Sequence, residues 1–229
     1  MTLKSIIDHD FSKLGLAQAQ EHMRHQGAIF QGCCFDELGF QDVELDDLVF
    51  AKCSFQNTSF RASENTSCTF DKCSLSGADF RYARLESVVF DTCNCVGINF
   101  TEATLTDSIL KGSKMTGATL KGLRTLNLNI DYTIFESADL GGLYLKGQHI
   151  KGVDFSNADL SDADLRGCLF EECSFINTEF RGAKMASADF RESRLGKSPL
   201  HDMARDMKGA IISNAQAAEI LQDYGLVVA

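Results

Sequence analysis

The chain has 229 residues, 44% of them hydrophobic, and a single proline, ample apolar material for one folded unit without a linker. Its formal net charge of -10 and pI near 4.9 argue against an electrostatic grip on DNA, RNA or an anionic membrane, although an acidic chain can still bind a protein that itself binds nucleic acid. No run of 18 apolar residues exists, and acids interrupt MTLKSIIDHDF where a secretory signal needs an apolar core. The expected location is therefore cytoplasmic, where nine cysteines have no need to form disulfides.

Residues 1–27 keep no steady beat and read as an N-terminal cap. LGLAQAQEHMRH, from Leu14 to His25, reads as a short helix. Phe11 and Leu16 equally read as the start of an imperfect coil, and both readings stay open.

Residues 28–197 count in fives. From Phe30 to Leu195, positions numbered in multiples of five are apolar at 31 of 34 places, the exceptions being Asn65, Cys95 and Thr125, so the frame never slips. Sixteen of the seventeen phenylalanines lie on it; only Phe11 is off. Two residues before each centre, 27 of 34 positions are Ala, Cys, Ser, Thr or Val. In extended chain these two residues point the same way, so each unit offers an inward pair and then turns a corner, and the chain coils around its own core. Cys33, Cys53, Cys73 and Cys93 lie 20 apart, which predicts four units per coil. Twelve of the eighteen glycines fall two residues after a multiple of five, where a corner calls for positive φ.

Stacking at 20 residues predicts columns. Phe30, Phe50, Phe70 and Phe90 form one ladder and Phe40, Phe60, Phe80 and Phe100 another, whereas centres from Leu105 to Ile130 turn to Leu, Met and Ile. Leu123, Leu128, Leu143 and Gln148 break the small-residue rule and predict a widened or distorted coil. The polar columns include Asp79, Asp139, Asp159 and Glu179, with Asn99 and Thr119 between, and a mixed-sign column Asp71, Asp91, Lys111, Asp131, Lys151, Glu171 and Arg191. Asp36, Glu37, Asp42, Glu44, Asp46 and Asp47 come with no base among them, and Lys111, Lys114, Lys121 and Arg124 form a belt with no acid. The acids read either as a solubilising surface or as an imitation of the phosphate rows of a duplex.

Residues 198–229 form a C-terminal cap. Ser198 and Pro199 read as the start of a short helix, and regular spacing returns out of phase at Met207 and Ile212. Ser213 with Gln216 makes a capping box; Ala217, Ile220, Leu221 and Tyr224 make an apolar helix face; Gly225 ends the helix before the tail Leu226, Val227 and Val228. That surface either plugs the last coil or joins two copies tail to tail, and it exceeds what a polar lid requires.

Little points to chemistry. Seven cysteines occupy the inward small position and an eighth, Cys95, is a centre, which reads as core filler. The best metal cluster, His22, His25, Cys33 and Cys34, is spoiled by an inward Cys33, and His9, His149 and His201 have no partners spaced as a triad. No Gly-rich phosphate loop appears. The expectation is a protein that is not an enzyme and uses no cofactor or metal.

Ala78-Asp79-Phe80, Ala138-Asp139-Leu140, Ala158-Asp159-Leu160, Ala163-Asp164-Leu165 and Ala188-Asp189-Phe190 resemble the motif of the pentapeptide repeat family. The resemblance covers about three quarters of the chain and implies an all-β fold, a right-handed quadrilateral parallel β-helix with a short C-terminal α-helix. The ending, with Asn214, Gln216, Ala217, Gly225 and Val227-Val228, resembles the narrower Qnr-type and McbG-like group. That resemblance implies a homodimer that occupies the DNA-binding saddle of DNA gyrase or topoisomerase IV and protects it from quinolones or peptide toxins, with the acidic faces as the mimic. Many Qnr-type proteins carry projecting loops; this frame has no room for them and is closer to the loopless MfpA-like kind. The rival expectation is a repeat scaffold for an unrelated protein partner.

Overall fold

A computed structural model describes residues 5–25, 27–196 and 205–228. Ser198, Pro199 and His201 lie outside the described residues.

Strand register confirms the 20-residue coil. Ile29–Gln31, Val49–Ala51, Thr69–Asp71 and Val89–Asp91 pair in parallel, with Phe30 beside Phe50, Phe50 beside Phe70 and Phe70 beside Phe90. On the adjoining side Glu44–Asp46, Glu64–Thr66, Arg84–Glu86, Thr104–Thr106 and Arg124–Leu126 stack in the same way, and near the C-terminal end His149–Lys151, Leu169–Phe175 and Asp189–Leu195 form a third sheet. The four sides are numbered here by their centres: Phe30, Phe35, Phe40 and Leu45 begin the first to the fourth. Together they make about ten turns, a rod roughly 50 Å long at about 4.8 Å per turn.

Every residue at the corner position, from Gly32 to Ser187, has positive φ, between 51° and 75°. Glycine adopts this region freely, but Asp, Asn, Ser, Glu, Lys, Tyr, Thr and Ala also stand there. Corners after Phe35 and Phe55 close with hydrogen bonds from Leu38 N to Phe35 O (3.3 Å) and from Thr58 N to Phe55 O (3.2 Å).

The inward columns pack as the spacing predicts. Phe50–Phe70 and Phe70–Phe90 stack at 5.1 and 5.0 Å, Phe60–Phe80 at 4.4 Å and Phe35–Phe55 at 4.7 Å, while rings of neighbouring columns meet edge to face, as Phe50 and Phe55 do. Such pairs contribute about 0.5–1.5 kcal/mol each beyond their buried area. The waist is aliphatic: Leu105, Leu110, Met115, Leu120 and Ile130 are buried there. The small inward residues also carry hydrogen bonds. Cys53, Cys73 and Cys93 direct their thiols at the carbonyls of Phe30, Phe50 and Phe70 (3.4, 3.2 and 3.1 Å), and in the same column Ser113 Oγ donates to Phe90 O (3.2 Å) and Ser193 Oγ to Phe170 O (3.0 Å).

The ladder opens where two large inward residues follow each other in one column. On the fourth side the column reads Ala103, Leu123, Leu143, Ala163, and on the first Ser108, Leu128, Gln148, Cys168. Among the described residues, no backbone bond crosses from residues 123–130 to residues 144–149 on these two sides; instead Thr125 Oγ1 donates to Tyr144 O (3.1 Å). The second and third sides, with Ser113 and Thr133 or Ala118 and Ala138 inward, stay closed: Thr119 pairs with Asp139 and Ile134 with Asp154. A wedge-shaped seam thus interrupts half the circumference.

At the N-terminal end both open readings hold together. Ser5–Ile7 pairs with Ile29–Gln31, and Ile6 and Phe11, five apart, act as centres 24 residues before Phe30 and Phe35. Phe11 is fully buried and stacks on Phe35 at 5.0 Å. The four extra residues are absorbed by α1 (Phe11–Leu14) and α2 (Leu16–Met23), which replace two sides of the first turn. At the other end Ile211 pairs with Asp189, and Met207 and Ile212, partly buried against the core, restore the beat two residues out of phase.

Candidate partner-binding surface

Asp79, Asn99, Thr119, Asp139, Asp159 and Glu179 do form one outward column on the third side, each bridged to the next. The aspartates serve the fold first. Asp139 Oδ1 accepts from Gly141 N (3.1 Å) and Asp159 Oδ1 from Ser161 N (2.8 Å), while Asn99 Oδ1 does the same for Thr101 N (2.9 Å). An Asx turn at each corner therefore explains the Asp/Asn of the repeated triplet. Asp79 is further pinned by Arg81, whose Nη2 donates to Oδ2 at 2.6 Å. Burial works against its ionisation, but the guanidinium outweighs that and holds its pKa below the usual 3.8. The same Asp-x-Arg clasp joins Asp164 to Arg166 and Asp189 to Arg191, each at 2.6 Å, and hydrogen bonds from the arginines lower both carboxyl pKa values. Gly141 and Ser161 stand where Arg81 would, and Asp139 and Asp159 form no ion pair among the described residues; exposed Glu179 forms none either, although Arg181 stands two places on.

The mixed-sign column is a partial ladder. Lys151 Nζ meets Glu171 Oε1 at 2.6 Å, His149 Nε2 meets Glu171 Oε2 at 3.0 Å, and Asp131 Oδ1 accepts from Lys151 N at 2.9 Å. The exposed belt residues Lys111, Lys114, Lys121 and Arg124 form no ion pair among the described residues.

The C-terminal helix, α3 (Asn214–Asp223), begins with the expected capping box: Gln216 N donates to Ser213 Oγ (3.2 Å) and Ser213 N to Gln216 Oε1 (2.7 Å). Gln216 also plugs the last coil, its Nε2 donating to Phe190 O (2.8 Å) and Ser193 O (2.6 Å). Gly225 (φ 75°) ends the helix, and Leu226 N bonds back to Leu221 O. Ala217, Ile220 and Leu221 remain half-buried; Tyr224, Leu226, Val227 and Val228 are exposed, Val227 at 93%.

Burial pushes the thiols of Cys68 to about 12 and of Cys168 and Cys173 to about 11, and Cys34 is the one cysteine not buried. Cys33 points inward with its thiol on Ile6 O (3.5 Å), and His22 Nδ1 bonds Gln18 O (3.0 Å), so His22, His25, Cys33 and Cys34 do not converge. Among the described residues no group of three or more His, Cys, Asp or Glu is placed to hold a metal, and no helix is long and apolar enough to cross a membrane.

Family models describing a pentapeptide repeat region and eight-copy pentapeptide repeats match residues 63–135, and 135–167 with 158–196. The chain belongs to the pentapeptide repeat family. Its fold is the family's right-handed, four-sided parallel β-helix. Two trypsin-treated forms of QnrB1, a plasmid-mediated fluoroquinolone resistance protein, are similar in structure at TM-scores of 0.55 and 0.56 and 16% identity, covering 99% of this chain and 98% of theirs. HetL, a pentapeptide repeat protein involved in heterocyst differentiation regulation from the cyanobacterium Nostoc, is similar at 12% identity and TM-score 0.41, covering 86% of this chain and 89% of its own. No curated protein matches the chain significantly in sequence.

Proposed function

We propose that this pentapeptide repeat protein is a non-enzymatic, cytoplasmic DNA mimic that binds a bacterial type II topoisomerase, DNA gyrase or topoisomerase IV, as a homodimer. The observation that carries the reading is the row Asp139, Asp159, Glu179, carboxylates one turn apart along a slender rod and in no ion pair among the described residues. A basic groove shaped for duplex phosphates is attracted to such a row, and the attraction weakens with salt. Asp79, clasped by Arg81, contributes less. The C-terminal apolar face supports the two-fold joint: Ile220, Leu221, Tyr224, Leu226, Val227 and Val228 leave a continuous apolar surface that a second copy would cover. The fold shared with trypsin-treated QnrB1 over 98% of that chain supports quinolone protection as the setting.

Gyrase supercoiling with purified protein titrated in, with and without ciprofloxacin, tests the reading against the variant Asp139→Asn/Asp159→Asn/Glu179→Gln. Asn keeps the corner cap, as Asn99 shows, so the variant removes charge and leaves the coil intact. Inhibition or rescue by the wild type that the variant loses is expected. No effect from either folded protein at micromolar concentration contradicts the topoisomerase reading.

A further inference from the structure

The seam has features that an ordinary corner of the coil lacks. Elsewhere the N–H two residues after a centre bonds the carbonyl nineteen residues on, as Asp107 N does to Leu126 O (2.8 Å). At the seam Asn127 N makes no such bond, Ile130 N and His149 N likewise make none across the gap, and the ladder resumes only at Tyr132 N to Lys151 O (2.8 Å). The opening there, about 290 Å³, is lined by Asn127, Asn129, Gln148 and His149 together with Leu128, Ile130 and Ile150, and by Asp131, whose carboxylate already accepts from Asn129 Nδ2 (3.1 Å) and Lys151 N (2.9 Å). An opening with main-chain donors and acceptors on both lips, amide side chains on its walls and apolar residues at its floor complements a peptide main chain.

The surroundings select the peptide. Arg124 and Lys146 are exposed on the fourth side beside the gap and have no ion pair among the described residues, and the nearby Asp107 is engaged by Asn127 Nδ2 (2.8 Å). Leu126 and Tyr144, 61% and 50% exposed, stand among these cations. Uncovered apolar side chains framed by unpaired positive charge, in a protein of net charge -10, mark a surface for an acidic partner. We propose that the seam is a docking site for an extended, acidic segment of another protein. Its main chain takes up the uncrossed donors and acceptors, its carboxylates meet Arg124 and Lys146, and its apolar side chains cover Leu126 and Tyr144. The site is independent of the acidic row on the third side.

Fluorescence polarisation with a short labelled peptide of alternating glutamate and valine tests this, alongside its lysine-valine counterpart and amide exchange of the full chain. Binding of the acidic peptide is expected, weakened about tenfold by Arg124→Glu/Lys146→Glu, unchanged by the equal charge reversal Lys52→Glu/Lys72→Glu several turns from the seam, and accompanied by slowed exchange at Asn127, Ile130 and His149. Equal binding of the lysine-valine peptide, equal loss in both charge-reversal variants, binding without protection of those amides, or no binding at millimolar peptide would each overturn the proposal. Equal displacement of the peptide by a single-stranded oligonucleotide would also overturn it, by showing a site for any polyanion.

Discussion

Each corner of the coil turns on one residue in the left-handed region, and for any residue but glycine that conformation costs about 1 kcal/mol. Ala62 sits there at φ 55° with no side-chain hydrogen bond to offset the strain. Ala62→Gly is therefore expected to raise stability by roughly 0.5–1 kcal/mol after the added entropy of the unfolded chain, read as a higher denaturation midpoint; an unchanged or lower midpoint would contradict the strain argument. The cysteines make a second residue-scale statement. A thiol reagent applied to the native protein should titrate Cys34 alone, and all nine thiols only after unfolding, because the other eight are buried. Rapid reaction of several thiols in the native state would mean that the inward columns open. Positive φ was legible from glycine placement, and burial of Cys from the frame. The carboxylate roles were less legible, because a column predicts who stands above whom, whereas Asp79, Asp164 and Asp189 bond within their own corner to Arg81, Arg166 and Arg191.

Those clasps act at the scale of the element, since each fastens a corner of one coil. A carboxyl whose folded pKa is lowered contributes stability above the unfolded value, ordinarily 3.8, and that contribution is lost as pH falls through the folded value. Stability should therefore be flat with respect to these groups near neutrality and fall below about pH 4, and Arg166→Gln should flatten that fall; equal acid profiles would show that the clasp is energetically idle. In the core the phenylalanine ladder is the unit of cohesion, so Phe70→Ala, which removes a ring stacked on both Phe50 and Phe90, should cost about 3–5 kcal/mol. The seam was legible before any coordinates: Leu123 above Leu143 and Leu128 above Gln148 demand more room than Ala, Ser or Cys. Which sides would open followed only from the structure, because a single oversized Leu, such as Leu48, is accommodated without a break. The N-terminal turn was half hidden, since α2 shifts its register from 20 to 24 residues and takes Phe11 off the frame.

At the scale of the molecule the frame dictates a rod, because every five-residue unit makes the same inward pair and the same corner, and each turn buries the open face of the last. The ends are finished differently: α2 covers one, and Gln216 plugs the other while leaving the apolar tail outside. On the proposed function, the acidic row and that tail give the rod a partner-binding direction that repetition alone does not specify. Sequence revealed the row but not which members are clasped, and that distinction leaves Asp139, Asp159 and Glu179 as the proposed imitation of phosphate. The most direct test is displacement of labelled duplex DNA from gyrase by this protein over a series of salt concentrations. The account predicts mutually exclusive binding that weakens as salt rises and is lost in Asp139→Asn/Asp159→Asn/Glu179→Gln. Simultaneous binding of both DNA and protein to gyrase, or displacement that the neutralised variant performs equally well, would contradict it.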